Sequence, residues 1–232
     1  MAAPKLLDLF CCEGGAGTGY ARAGFEVVGV DLNPKFAKRY PYEFHAADAI
    51  QYVRDHGHKF DVIHASPPCQ LYSITNASRG HNYPDLIGPT REVLQESGKP
   101  WVIENVKGAP LHNPLVLRWP MFFEPGSVFD DDGTPLTMLR ERWFESNVIL
   151  TAPPELAVPD GAQIAGSYGG ARRDKWEAKH IRKGGYVPSK EAQQRLLGVD
   201  WMTIHGMYQS IPPVYSEWVG KQLLVALNVK WC

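Results

Sequence analysis

Short apolar runs alternate with stretches of helical spacing from the start of the chain as far as Val106. Lys5-Leu6-Leu7-Asp8-Leu9-Phe10 reads as a buried strand, followed by the turn Cys12-Glu13-Gly14-Gly15-Ala16-Gly17 and a helix of small residues from Thr18 to Ala23. Phe25 to Asp31 predicts a second strand closed by an acid. Pro34 to Tyr40 predicts a helix with proline at its first position, where the missing N–H costs nothing. The strand-like Phe44-His45-Ala46-Ala47 precedes Asp48, which is placed to cap a helix beginning Ala49-Ile50-Gln51-Tyr52. Asp61 to Ser66 predicts another strand, ended by Pro67 and Pro68; Pro89 to Ser97 predicts a helix and Pro100 to Val106 a strand. This alternation implies an α/β fold with a doubly wound, mostly parallel sheet. Ligands of such sheets gather at the carboxyl ends of the strands, so the polar residues that close each strand are the ones to follow.

After Val106 the texture changes. Asp130-Asp131-Asp132-Gly133 marks an exposed turn, and 150–188 is dense in proline and glycine and reads as loops and short hairpins. Ser189 to Leu197 then predicts a capped helix and Tyr215 to Leu227 an amphipathic one, with no internal repeat. The expected organisation is a main domain over 1–148, a small irregular region over 149–188, and a segment over 189–232 that returns to the main domain.

Composition narrows the class. With 232 residues, 44% hydrophobic and 21% charged, the chain fits one soluble core domain with a small appendage, and collagen-like, disordered and disulfide-scaffold classes are excluded. Lys and Arg number 24 against 25 Asp and Glu, so no uniformly basic surface is available to nucleic acid. That balance hides a local excess: 171–190 holds seven basic residues, Arg172 and Arg173 among them, against Asp174 and Glu177, with Trp176 and Tyr186 interleaved. The four cysteines, Cys11, Cys12, Cys69 and Cys232, make no C-x-x-C pair, which favours a reducing compartment. The first residues do not resemble a secretory signal, and no apolar run is long enough to span a membrane. A cytoplasmic protein is expected.

Three motifs close predicted strands. In the first, Gly14 and Gly15 let the backbone pass close to a ligand while Asp31, ending the next strand, can accept two ribose hydroxyls. Glu13 in that turn would repel a pyrophosphate and tolerate a cationic ligand, which suits S-adenosylmethionine better than NAD. In the second, Ser66-Pro67-Pro68-Cys69-Gln70 displays a cysteine on a proline-stiffened turn, as a thiolate nucleophile requires, although a lone cysteine is more often a packed one. The third, Glu104-Asn105-Val106, brings a carboxyl to the same sheet edge, where taken alone it would by default be a cap or an ion-pair partner; its pairing with Cys69 favours chemistry.

Taken in order along the chain, these motifs resemble those of the DNA cytosine-5 methyltransferases. Asp8-Leu9-Phe10 with Gly14-Gly15 is similar to the family's cofactor loop, Pro67-Pro68-Cys69-Gln70 to its nucleophile motif and Glu104-Asn105-Val106 to its glutamate motif. Arg140-Glu141-Arg142 resembles the arginine motif, Gln194-Arg195-Leu196-Leu197-Gly198 the segment after the recognition region, and Ile211-Pro212-Pro213 with Tyr215 to Leu224 the closing motif. The family's cofactor loop has glycine where this chain has Cys12, Met138-Leu139 replace a Gln-Arg or Gln-Lys pair, and Gln209 stands where asparagine is common.

The resemblance implies a Rossmann-like methyltransferase fold and transfer of a methyl group from S-adenosylmethionine to cytosine C5. It assigns Cys69 as covalent nucleophile on C6, Glu104 as proton donor at N3, and Arg142, supported by Arg140, to the developing charge at O2. Phe10, Glu13, Gly14, Gly15, Asp31, Leu32, Asp48, Ala49, Pro68, Gln209 and Ser210 are expected around the cofactor. Ser66, Pro67, Gln70, Asn105, Val106, Arg172, Arg173 and Trp176 are expected toward the substrate. The expected partner is double-stranded DNA with its target base flipped, handled by a monomer without metal or membrane. The family setting is that of a small phage or bacterial, nucleoid-associated enzyme of a restriction-modification system. The same chemistry on RNA or a free cytosine nucleotide, and a non-catalytic nucleic-acid-binding protein of the same fold, are the alternatives.

Overall fold

The computed structural model describes residues 2–72, 84–124, 126–157, 162–166 and 187–228. The predicted alternation is present: β1 (Lys5–Leu9), α1 (Gly15–Ala23), β2 (Glu26–Asp31), β3 (Glu43–Ala46), α2 (Ala49–His56), β4 (Val62–Ala65), α3 (Ile87–Glu96) and β5 (Trp101–Asn105). Then follow β6 (Leu115–Leu117), β7 (Val128–Phe129), β8 (Pro135–Thr137), β9 (Arg142–Ser146), β10 (Gln163–Ile164), α4 (Lys190–Leu197), α5 (Ile204–Gln209) and α6 (Pro213–Asn228). Among the described residues the main sheet runs β3-β2-β1-β4-β5-β9-β6. β1 pairs in parallel with β2 and β4, β2 with β3 and β4 with β5, whereas β9 joins β5 antiparallel. The direction of winding therefore reverses between β1 and β4, and their carboxyl ends form the crevice where doubly wound sheets hold ligands.

Period-2 alternation gives the sheet two unlike faces. Leu7, Leu9, Val28, Val30, Ile63, Ala65, Trp101 and Ile103 pack with Ala49 and Val53 of α2 and with Val93 and Leu94 of α3 in a wholly apolar core. The opposite face, under α1, carries Asp8, His64 and Glu104, all buried. The β1–β4 register sets Asp8 directly beside His64. α1 in turn packs on α6, and its small residues permit the close approach: a Cβ on Gly19 would overlap the Pro213 carbonyl oxygen and Ser216 Oγ.

By compactness the described chain falls into two units. The first comprises Met1–Val116, Arg142–Thr151 and Ile211–Cys232; the second comprises Leu117–Glu141 and Ala152–Ser210. This division differs from the boundaries 1–148, 149–188 and 189–232, because Leu117–Glu141 and the stretch to Ser210 share one core. In it Trp119, Leu136, Met138, Ala165, Leu196 and Met207 pack together. Met138, at the place of a polar residue in the arginine motif, is a core side chain here.

Several local expectations shift. α1 begins at Gly15 rather than Thr18, the Pro34 helix is a 3₁₀ segment ending at Lys38, and α6 starts at Pro213. Within 150–188, Gln163–Ile164 is a strand that pairs in parallel with β8 rather than one arm of a hairpin. Ser189 caps α4 as expected, its side chain accepting from Ala192 N, and Gly198 closes that helix at φ 70°, a conformation in which glycine lacks the Cβ penalty.

Candidate active site

The turn after β1 is sharply wound. Phe10 and Cys12 both have positive φ, 58° and 47°, ahead of Gly14 at 90°. A residue with a Cβ is costly there, which gives a physical reason for the glycine that the resemblance expects at Cys12. The turn is tied to β2 by Cys11 N donating to Val30 O and Cys12 N donating to Asp31 Oδ2 at 3.1 Å. Asp31 Oδ1 accepts from Asn33 N at 2.9 Å, so both oxygens of this carboxylate are oriented. Leu32 beside it is 76% exposed. Asp48 caps α2 through Gln51 N, and Ala49 is buried behind it. Glu13 and Gly15 are buried in the turn. A Cβ on Gly14 would lie 2.7 Å from Pro41 Cδ, so Tyr40 and Pro41 use the space that its missing side chain leaves.

Tyr40 is inserted beneath this turn, its hydroxyl donating to Asp8 Oδ2 at 2.9 Å. Burial pushes the Asp8 carboxyl up to about 7, against the lowering effect of Tyr40 and of Gly17 N. Burial likewise raises the Cys11 and Cys12 thiols far above their ordinary range, so neither is a nucleophile at neutral pH.

The second turn leaves β4. Ser66 N donates to Leu9 O, which ties this turn to the end of β1. Pro67 is buried; Pro68, Cys69 and Gln70 are partly exposed. Asn105 Nδ2 donates to Pro67 O at 2.9 Å while Asn105 Oδ1 accepts from Val106 N. The Asn of the third motif thus holds the proline turn that presents Cys69.

Glu104 lies one residue before, buried at 5% exposure. The β5–β9 register pairs Glu104 with Phe144 and so places Arg142, two residues away, diagonally on the same face of the sheet. Arg142 Nε meets Glu104 Oε1 at 3.1 Å, both side chains nearly sealed from water. Arg140 lies two residues before Arg142. It is fully buried in the second unit, and its Nη2 donates to the carbonyls of Met207, Tyr208 and Ser210. These bonds fix the end of α5, where Gln209 and Ser210 lie. Arg172, Arg173 and Trp176 lie outside the described residues.

Sequence reasoning passed over Tyr20, His64 and Tyr40. For His64 a signal was available: Asp8 and His64 are polar breaks inside otherwise apolar strands, and each needed a buried partner. His64 has one on each ring nitrogen, Tyr20 Oη at 2.9 Å from Nδ1 and Ser66 Oγ at 2.8 Å from Nε2. Among the described residues no group of His, Cys, Asp and Glu could hold a metal ion, and no helix is long and apolar enough to cross a membrane.

Residues 4–115 match the model of the C-5 cytosine-specific DNA methylase family. Over 112 residues the chain is 32% identical to the type II methyltransferase M.FnuDI of Fusobacterium nucleatum, a match covering 45% of this chain and 33% of that protein. The chain thus spans about a third of the length of that curated relative. A prophage-encoded protein of E. coli assigned as a DNA modification methyltransferase shares the fold at a TM-score of 0.62 and 14% identity, covering 97% of this chain and 100% of its own. The S. pombe Dnmt2 methyltransferase does so at 0.55 and 13%, covering 97% and 99%, and the Entamoeba histolytica methyltransferase EhMeth at 0.56 and 13%, covering 98% and 100%. At these identities the likeness concerns the fold.

Proposed function

We propose that this chain, whose residues 4–115 match the C-5 cytosine-specific DNA methylase family, belongs to that family and methylates cytosine C5 in double-stranded DNA. The observation that carries this is the juxtaposition at neighbouring strand ends of a proline turn bearing Cys69 and a buried Glu104–Arg142 pair, linked by the Asn105–Pro67 hydrogen bond.

The residues fit S-adenosylmethionine. Asp31 offers oriented acceptors for ribose hydroxyls, exposed Leu32 offers an apolar surface to the adenine, and Asp48 an acceptor for its amino group. Phe10, Glu13, Gly14, Gly15, Ala49, Pro68, Gln209 and Ser210 complete the proposed set. When bound, the cofactor supplies a methyl group made electrophilic by its sulfonium. Cys69 as thiolate adds to C6 of cytosine, pushing electron density toward C5 and N3. Glu104 holds a proton at N3, and Arg142, already set against Glu104, offsets charge growing toward O2. Once C5 had taken the methyl group, transfer of the C5 proton to water would expel Cys69 as thiolate while Glu104 takes the N3 proton back, restoring the aromatic ring. Reaching C6 requires the base to leave the duplex. Ser66, Pro67, Gln70, Asn105 and Val106 are the proposed walls of the base site, and 149–188, with Arg172, Arg173 and Trp176, is the proposed DNA-reading segment. The protein acts as a monomer, inside the cell that holds the DNA, in this reading.

Base-resolution sequencing of DNA after incubation with protein and S-adenosylmethionine tests it: new 5-methylcytosine is expected. On duplex DNA carrying 5-fluorocytosine the protein should form a covalent adduct that Cys69→Ala does not, and Glu104→Gln should slow adduct formation by about a hundredfold. Labelled methyl groups that prefer tRNA or dCMP over duplex DNA would move the substrate assignment to RNA or nucleotide.

A further inference from the structure

A line of hydrogen bonds runs beneath the nucleophile turn, from Tyr20 on α1 through His64 on β4 to Ser66. Tyr20 and His64 are fully buried, while Ser66 is partly exposed at the point where the strand meets Pro67. The two rings contact each other at 5.1 Å between centroids. The direction of this line follows from burial. The Tyr20 hydroxyl proton needs an acceptor, and within hydrogen-bond reach among the described residues that acceptor is His64 Nδ1. Desolvation raises the Tyr20 phenol well above its ordinary value, so the proton stays on it. His64 Nδ1 is then unprotonated and the ring proton resides on Nε2, which donates to Ser66 Oγ. The opposite tautomer would leave the Tyr20 proton without a partner in a sealed interior, whereas the Ser66 proton can always find one at its partly exposed position. Burial also pushes the His64 pKa down to about 3, so the ring remains neutral under working conditions.

We propose that His64 is a positioning residue for the proposed methyl transfer: locked in its Nε2–H tautomer by Tyr20, it occupies Ser66 Oγ as acceptor and so commits the Ser66 hydroxyl to donate to an acceptor in the Cys69 site. This rests on the methyltransferase reading above. It also couples the helix after the cofactor turn to the turn that carries the nucleophile, since Tyr20 and Ser66 belong to the two sides of the crevice.

The full chain tests it in two ways. ¹⁵N NMR of histidine-labelled protein, with the His64 signal identified by its absence in His64→Gln, reads the tautomer without any activity: Nε2 protonated is expected, and Nδ1 protonated overturns the proposal. Activity supplies the second readout. Ser66→Ala and His64→Phe should each lower kcat by about tenfold to a hundredfold with S-adenosylhomocysteine binding unchanged, and the double variant should be no worse than either single one. His64→Gln, whose amide N–H can stand in for Nε2–H, should recover part of the loss of His64→Phe. Multiplying losses, or a His64→Phe defect confined to melting temperature, would show a packing role only. A wild-type chain that forms no 5-fluorocytosine adduct would refute the methyltransferase reading while leaving the NMR result to decide the tautomer.

Discussion

Asp8 and His64 face each other across β1 and β4 and carry opposite protonation demands. Asp8, at about 7 in the fold against an ordinary value near 4, holds a proton that the unfolded chain has released. Its contribution is greatest below about pH 4 and is lost as pH rises through 7, at about 1.4 kcal/mol per pH unit. His64, at about 3 against an ordinary 6.5, stays neutral where the unfolded chain takes up a proton. Its contribution is present above about pH 6.5 and is lost as pH falls toward 3. The two slopes oppose each other between about pH 4 and 6.5 and hide one another. Asp8→Asn keeps an oxygen for Tyr40 and has no charge to desolvate. We expect its stability, followed by urea midpoint, to rise with pH across that interval more steeply than wild type, and to exceed wild type above pH 7. Parallel profiles would mean that Asp8 is already ionised in the fold.

At the scale of elements, the first five strands were legible, β1, β2, β4 and β5 as apolar runs and β3 as the short stretch ahead of the helix cap Asp48. β9 was not. Arg142-Trp143-Phe144-Glu145-Ser146 buries both Arg142 and Glu145, one against Glu104 and the other against Arg91, whose Nε meets Glu145 Oε1 at 2.7 Å, so the usual alternation is masked. Two- and three-residue strands such as β7 and β10 lie below what periodicity can detect. The motif residues Cys69, Glu104 and Asp31 were found because chemistry, not periodicity, marks them; the supporting Tyr20 and Tyr40 come from helical and turn segments where nothing local distinguishes them. The α1–α6 packing makes a prediction of its own. Gly19→Ala sets a methyl against the Pro213 carbonyl and Ser216, and neither backbone can yield without parting the helices. A loss of about 3 kcal/mol, at the upper end of overpacking costs, is expected from denaturant melts, with the m-value unchanged.

For the whole molecule, the first unit is assembled from three separated stretches of chain and the second from two. Length and composition indicated one core domain with an appendage; they could not show that the appendage draws on Leu117–Glu141, because that stretch joins residues far along the chain, such as Leu196 and Met207, only through packing. Deleting Ile211 onward removes Tyr215, Val219 and Leu223, all fully buried in the first unit. Calorimetry of that truncated chain should show no cooperative transition, the α1 side of the sheet having lost its cover. The pairing of α1 with α6 also sets an order of events during translation. α1 leaves the ribosome well before its partner helix, which follows only after every residue of the second unit has been made. Until α6 (Pro213–Asn228) emerges, the nascent chain must therefore carry the Asp8 and His64 side of its sheet half-clothed, open to chaperones and proteases.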